Sequence, residues 1–230
     1  MLVTGAGKMS GDNSDKKCLI FDFDGLILDT ESSEVQIWRE LYTQAGLTFD
    51  LKAHLQVIGS DMPHAIHPAQ PLANREGETR TFEQIRRDFH QKAYKRAEKL
   101  DAMEGVVELI DRAKANGYLL AVGSSSPFNW VHTHLTRLGL INKLDTLVTL
   151  DNVEKAKPAP DIFLKVLENL GVSAKNAIIL EDSENGVMAA HRAGIRVIAI
   201  PNSTTLHMDF SLATAVLPSL AQFDPDLYFL

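Results

Sequence analysis

Cysteine is nearly absent from this 230-residue chain: Cys18 is the only one, so no disulfide can form within it, and its place in an apolar run reads as a buried structural thiol. Long hydrophobic runs are also missing, and none approaches the roughly 18 residues that a membrane-spanning helix requires. The opening stretch, MLVTGAGKMSGDNSDKK, lacks the continuous apolar segment of about 7–15 residues that marks a secretory signal. Residues 1–16 are therefore expected to form a disordered tail, and the expected setting is cytoplasmic. Positive charge is in deficit too. With 23 Lys and Arg against 30 Asp and Glu, the net charge of -7 argues against a nucleic-acid partner, which clustered basic residues would engage. There is no internal repeat and no low-complexity tract.

What is present is an ordinary globular composition, 45% hydrophobic and 23% charged, in a chain of 25.4 kDa that is long enough to bury a sizeable core. Short runs rich in Val, Ile and Leu stop at polar clusters at 17–22, 118–123, 145–150, 176–181 and 195–200. Continuous apolar runs of that length read as parallel strands buried on both faces. Helical spacing over 105–116, 128–138, 160–170 and 184–193 is followed each time by a glycine, the residue best suited to the left-handed turn that ends a helix. The alternation predicts an α/β fold, a doubly wound (Rossmann-like) parallel sheet. From about 32 to 100 no strand is legible. Helices are expected at 33–45, near 51–57 and at 81–100, with Pro63, Pro68 and Pro71 interrupting the middle. The expected organisation is thus a core of 17–31 and 101–230 carrying a small inserted α-helical cap at 32–100. An insert leaving from the carboxyl ends of parallel strands can fold over the ligand crevice.

The strand ends carry the chemistry. The run CLIFDFDG delivers Asp22 and Asp24 where a buried strand stops and Gly25 allows a sharp departure. Taken alone, such a pair is as compatible with loop solvation as with function. The second strand ends in Ser124, Ser125 and Ser126, which suit phosphate contacts at a helix start or an ordinary helix cap. After the third strand comes KAKPAPDIF, where Lys157 offers a fixed positive charge or is a solvated loop lysine. The fourth ends in Glu181 and Asp182, fitting a hard cation or a capped helix. His64, His67, His132 and His134 have no spacing that makes a zinc site, and Trp38 and Trp130 read as helix residues facing an interface.

In order and spacing, the motifs DFDGLILDTE, SSSP, KPAPDIF and EDSENGVMAAHRAG resemble those of the haloacid dehalogenase superfamily, from Lys17 to about Pro201. The closest likeness is to its small-helical-cap phosphatases and beta-phosphoglucomutase-like proteins. That resemblance implies a nucleophile at Asp22 and an acid/base at Asp24. It implies Mg2+ held by Asp22, by the main chain of Asp24 and by Asp182, with Glu181 as a direct or water-mediated ligand. Ser124, Ser125 and Lys157 would bind phosphate. An aspartate two residues after the nucleophile goes with phosphate esters rather than carbon–halogen bonds. In the cap, Gly59 matches a glycine of the mutases, but Met62 stands where they place an arginine and Glu34 where they carry a histidine. The implied activity is hydrolysis of a small phosphorylated metabolite, a sugar or nucleoside-like phosphate, by a monomer or weak dimer. Sugar-phosphate mutase is the alternative, and a catalytically silent binding module on the same scaffold a third reading. Arg75, Arg80, Arg86 and Arg87 are the basic residues available to the cap.

Overall fold

The computed structural model describes residues 13–56, 58–59 and 67–229. Five strands follow the expected runs closely: β1 (Cys18–Phe21), β2 (Leu119–Gly123), β3 (Thr146–Val148), β4 (Ala177–Glu181) and β5 (Arg196–Ala199), joined by a sixth, β6 (Ala215–Val216). All pair in parallel, in the order β3-β2-β1-β4-β5-β6. Chain order reverses beside β1, so the crevice outside the carboxyl ends of β1, β2 and β4 is where such a sheet binds ligands.

Alternation along the buried strands divides the core into two layers. Leu19 and Phe21 of β1, with Leu120, Val122, Ile178 and Leu180, face α5 (Val106–Ala115) and α6 (Phe128–Arg137). Cys18 and Ile20, with Ala121, Ile179 and Val197, face α7 (Asp161–Leu170) and α8 (Glu184–Arg192). Helices thus cover both faces, as the doubly wound reading expects.

Between β1 and β2 lie α1 (Thr30–Gln44), α2 (Leu51–Leu55), α3 (Ala69–Ala73) and α4 (Phe82–Ala97), followed by α5, with no strand among the described residues. Helix α1 starts three residues before the expected 33 because the Asp29 side chain accepts from the Ser32 N–H at 3.2 Å, capping a first turn too polar to show helical spacing. Helix α3 was not expected among the prolines. Pro71 falls in its first turn, where a missing N–H costs no helical hydrogen bond. In α4 the Thr81 and Gln84 side chains cap the first turn reciprocally, and its Phe89 stacks on Trp38 of α1 at 4.0 Å. At the start of the described chain, Asn13 is buried and donates to the Leu170 carbonyl at 2.9 Å, and Asn176 donates to the Ser14 carbonyl at 2.6 Å. Residues 1–12 lie outside the described residues.

Candidate active site

Four strand ends and the loops after them meet at one point. Asp22 follows β1 directly and its N–H donates to Leu180 of β4, so its side chain emerges between the two central strands. Lys157 is fully buried, with Nζ 2.5 Å from Asp22 Oδ1 and 2.8 Å from Glu181 Oε1. Glu181 Oε2 accepts from the Asp182 and Ser183 N–H groups, both at 2.9 Å, and from Ser183 Oγ at 3.0 Å. Asp182 Oδ2 accepts from Asn202 Nδ2 at 2.7 Å, and the same amide reaches the Gly25 carbonyl at 3.1 Å. Packing here is close enough to dictate glycine twice. A Cβ on Gly25, whose φ is +81°, would stand 2.1 Å from Asp182 Oδ2, and one on Gly186 would stand 1.7 Å from Glu181 Oε1.

Carboxylate oxygens of Asp22, Glu181 and Asp182 all lie within 4.8 Å of one another. Three buried carboxylates against the single Lys157 ammonium leave a formal excess of two negative charges in a largely buried cluster. Burial pushes the Asp22 carboxyl up to about 8; Lys157 opposes this, while Glu181 and Asp24 add to it. Asp182 is also raised well above the carboxylate range, by burial first and then by Glu181, Asp22 and Glu31. Burial alone would lower the Lys157 ammonium, but Asp22 and Glu181 hold it above its ordinary value and therefore charged. A divalent cation is the counter-charge that such an oxygen donor set fits, because it offsets the excess without adding bulk.

Residues 19–200 match the family described as haloacid dehalogenase-like hydrolase. The chain belongs to that family. Among its relatives, YhcW of Bacillus subtilis (strain 168) is 35% identical over 208 residues, covering 90% of this chain and 94% of YhcW. Fructose-1-phosphate phosphatase YqaB of Escherichia coli (strain K12) is 33% identical over 189 residues, covering 79% and 95%. Of solved structures, CbbY from Rhodobacter sphaeroides in complex with phosphate superposes with a TM-score of 0.74 at 26% identity, over 90% of this chain and 96% of that one. The chain is thus a haloacid dehalogenase-like hydrolase with a parallel sheet and flanking helices, and no helix among the described residues is long and apolar enough to cross a membrane.

Around these residues lie Asp24 and the serines that follow β2, each held differently. Asp24 is held on both oxygens: Oδ1 accepts from Thr30 Oγ1 at 2.9 Å and Trp130 Nε1 at 2.8 Å, and Oδ2 from Ser126 Oγ at 2.6 Å, with Ser124 Oγ at 3.5 Å. Buried Ser124 also accepts from the Ser126 N–H. Ser125 is turned toward the helical segment: its Oγ donates to the Gly59 carbonyl at 3.0 Å and accepts from the Lys157 N–H at 3.3 Å. Gly59, with φ +76°, lies over the strand ends, where a Cβ would meet Ser183 Oγ at 2.4 Å, and Asn185 Nδ2 donates to the neighbouring Ile58 carbonyl at 2.7 Å. Met62 falls outside the described residues. Glu34, in the first turns of α1, is raised to about 8 by burial and by Asp24.

The candidate basic residues are mostly engaged elsewhere. Arg75 and Arg80 pair with Glu78, Arg80 also with Asp88, and Arg86 with Glu83, while Arg87 is exposed on α4. His134 is buried among aromatic rings and His132 is stacked on Phe128, so neither contributes to a metal cluster among the described residues. Sequence reasoning missed Thr30, Trp130, Ser183 and Asn202. Ser183 carries a detectable signal, since a serine before the α8 pattern predicts a cap. Trp130 and Asn202 carry none, because only the fold brings them to Asp24 and Asp182.

Proposed function

We propose that this chain is a magnesium-dependent phosphatase that hydrolyses a small phosphorylated metabolite, a sugar or nucleoside-like phosphate, through an aspartyl-phosphate on Asp22. The observation that carries the reading is the buried constellation in which Lys157 bridges Asp22 and Glu181 while Asp24 stands two residues from the nucleophile. An oxygen of Asp22 attacks phosphorus and the bond to the ester oxygen breaks. Asp24 gives its proton to that leaving oxygen. Water then attacks the aspartyl-phosphate, its proton passes to Asp24, and phosphate departs with Asp22 restored. Lys157 and Ser124 hold the transferring oxygens, whose charge is the main thing the site must stabilise. Asp22, the Asp24 main-chain carbonyl and Asp182 would hold Mg2+, which lowers the repulsion between an anionic nucleophile and an anionic ester. Glu181, its oxygens already taken by Lys157 and the start of α8, orients the lysine and the loop rather than reaching substrate.

Residues 32–100 act in this reading as a cap, with Gly59 as the point where it meets the core through Ser125 and Ser183. Water rather than a sugar is the acceptor, because Met62 and Glu34 stand in place of the mutases' arginine and histidine. The test is inorganic phosphate release from a panel of sugar and nucleoside phosphates, with and without Mg2+. We expect release from at least one ester that depends on Mg2+ and falls by at least about a thousand-fold in Asp22→Asn, which lacks the attacking carboxylate. A wild-type protein inert on every ester, or equal activity in the variant, rejects the reading. Conversion of a hexose 1-phosphate to a 6-phosphate without net hydrolysis selects the mutase instead.

A further inference from the structure

Asp24 has a partner that its own loop does not supply. Trp130 sits in the first turn of α6 and sends its indole N–H to Asp24 Oδ1 at 2.8 Å. The ring is buried and wedged between two others. His134, one turn on, meets it edge-on at 4.5 Å, and Tyr94 of α4 meets it edge-on at 4.7 Å with an interplanar angle of 88°. His134 in turn stacks on Phe23, the residue between the two aspartates, at 6.5 Å. Edge-to-face contacts at these separations hold a ring in one orientation, so the indole nitrogen has a fixed direction.

An indole N–H donates and never accepts. While the contact is kept, Oδ1 is therefore an accepting oxygen, filled by Trp130 and by the Thr30 hydroxyl. The neighbours of Oδ2 are the hydroxyls of Ser126 and Ser124, which can turn to accept as readily as they donate. We propose that Trp130 is a positioning residue that fixes the carboxyl plane of Asp24 so that the transferred proton travels on Oδ2, with Tyr94 of the helical segment seating the indole. The inference rests on the phosphatase reading, since it gives Asp24 a proton to move. It also ties the placement of α4 to the orientation of the acid, because the ring that steadies Trp130 belongs to the segment between β1 and β2.

The experiment compares wild type with Trp130→Phe and with 3-benzothienylalanine at position 130, which preserves the ring packing and replaces only the N–H. Single-turnover rates are measured on an alkyl phosphate, whose alcohol must be protonated to leave, and on p-nitrophenyl phosphate, whose phenolate leaves unaided. We expect the alkyl-to-aryl rate ratio to fall at least about 10-fold in both variants, a part of the roughly 100-fold or more that a well-placed general acid supplies. We also expect the Trp130 indole proton resonance of the metal-free protein to move upfield in Asp24→Ala. A ratio unchanged within about two-fold, both rates falling together, or an indole resonance indifferent to Asp24→Ala overturns the positioning role. Wild-type protein inert on both esters overturns the phosphatase reading and this role with it.

Discussion

Lys157 shows how much one side chain can decide when water is excluded. Its ammonium is the only cation in contact with Asp22 and Glu181 among the described residues, and removing it leaves those charges unanswered. Lys157→Met is expected to destabilise the metal-free protein by about 3–5 kcal/mol, the cost of breaking a buried ion pair from one side, and to abolish phosphate release. Chemical denaturation with and without Mg2+ checks it, with part of the loss regained when the metal is present. His54 makes a separate prediction. It is buried in α2, tilted over Phe49 at 5.4 Å, its ring nitrogens have no hydrogen-bond partner among the described residues, and burial lowers it to about 4 from 6.5. The unfolded chain binds its proton first, so stability is complete above pH 6.5 and declines as pH falls toward 4, by at most about 3 kcal/mol. His54→Leu should flatten that acid limb in pH-dependent denaturation curves; an unchanged limb places the sensitivity elsewhere. Lys157 was legible in the sequence as a candidate because it follows a strand and precedes a rigid Pro-Ala-Pro. His54 was not, since burial of a lone histidine leaves no local pattern.

At the scale of elements, α8 reverses an ordinary rule. Replacing glycine by alanine inside a helix usually stabilises by up to about 1 kcal/mol. In α8 the alanine methyl at 186 would stand 1.7 Å from Glu181 Oε1, so the carboxylate that holds Lys157 must move. Gly186→Ala is therefore expected to lower both the melting temperature and phosphate release, measured by calorimetry and by the ester panel. A stabilised, fully active variant would contradict the packing described here. Elements were legible where burial is two-sided: β1, β2, β4 and β5 read as predominantly apolar runs because helices cover both their faces. β6 was not, being two residues at the sheet edge, Ala215 and Val216, one of them exposed. The first turn of α1 and the whole of α3 were hidden for opposite reasons, a polar start held by Asp29 and a proline tolerated in a first turn.

For the whole molecule, the excess negative charge at the strand ends sets how stability answers to pH and metal. Asp22 and Glu34 have carboxyls raised to about 8, so the folded state binds more protons than the unfolded chain between about pH 4 and 8. Stability of the metal-free protein then falls as pH rises through that window, and above pH 6.5 the opposing contribution of His54 is already complete. Melting temperature without metal is expected to drop from pH 6.5 to 8. Saturating Mg2+ should make the slope shallower by supplying Asp22 with a counter-charge. Differential scanning calorimetry across that range decides it, and identical slopes with and without Mg2+ would remove the metal from this site. The candidate residues were legible because each stands at a strand end or in the loop that follows one, whereas their support was not, because Asn202 and Trp130 reach them from other loops and helices.

The floor where Gly25, Asp182 and Asn202 meet has a consequence for descent as well as for chemistry. One amide of Asn202 bonds both the Gly25 carbonyl and the Asp182 carboxylate, and no methyl group fits between them. A side chain at 25 would press on both Asp182 and Asn202, and loss of the Asn202 amide would take a hydrogen bond from both the Gly25 carbonyl and the Asp182 carboxylate, so changes at these positions are coupled. Across an alignment of relatives, positions 25, 182 and 202 should therefore change together or stay together, as one inherited unit.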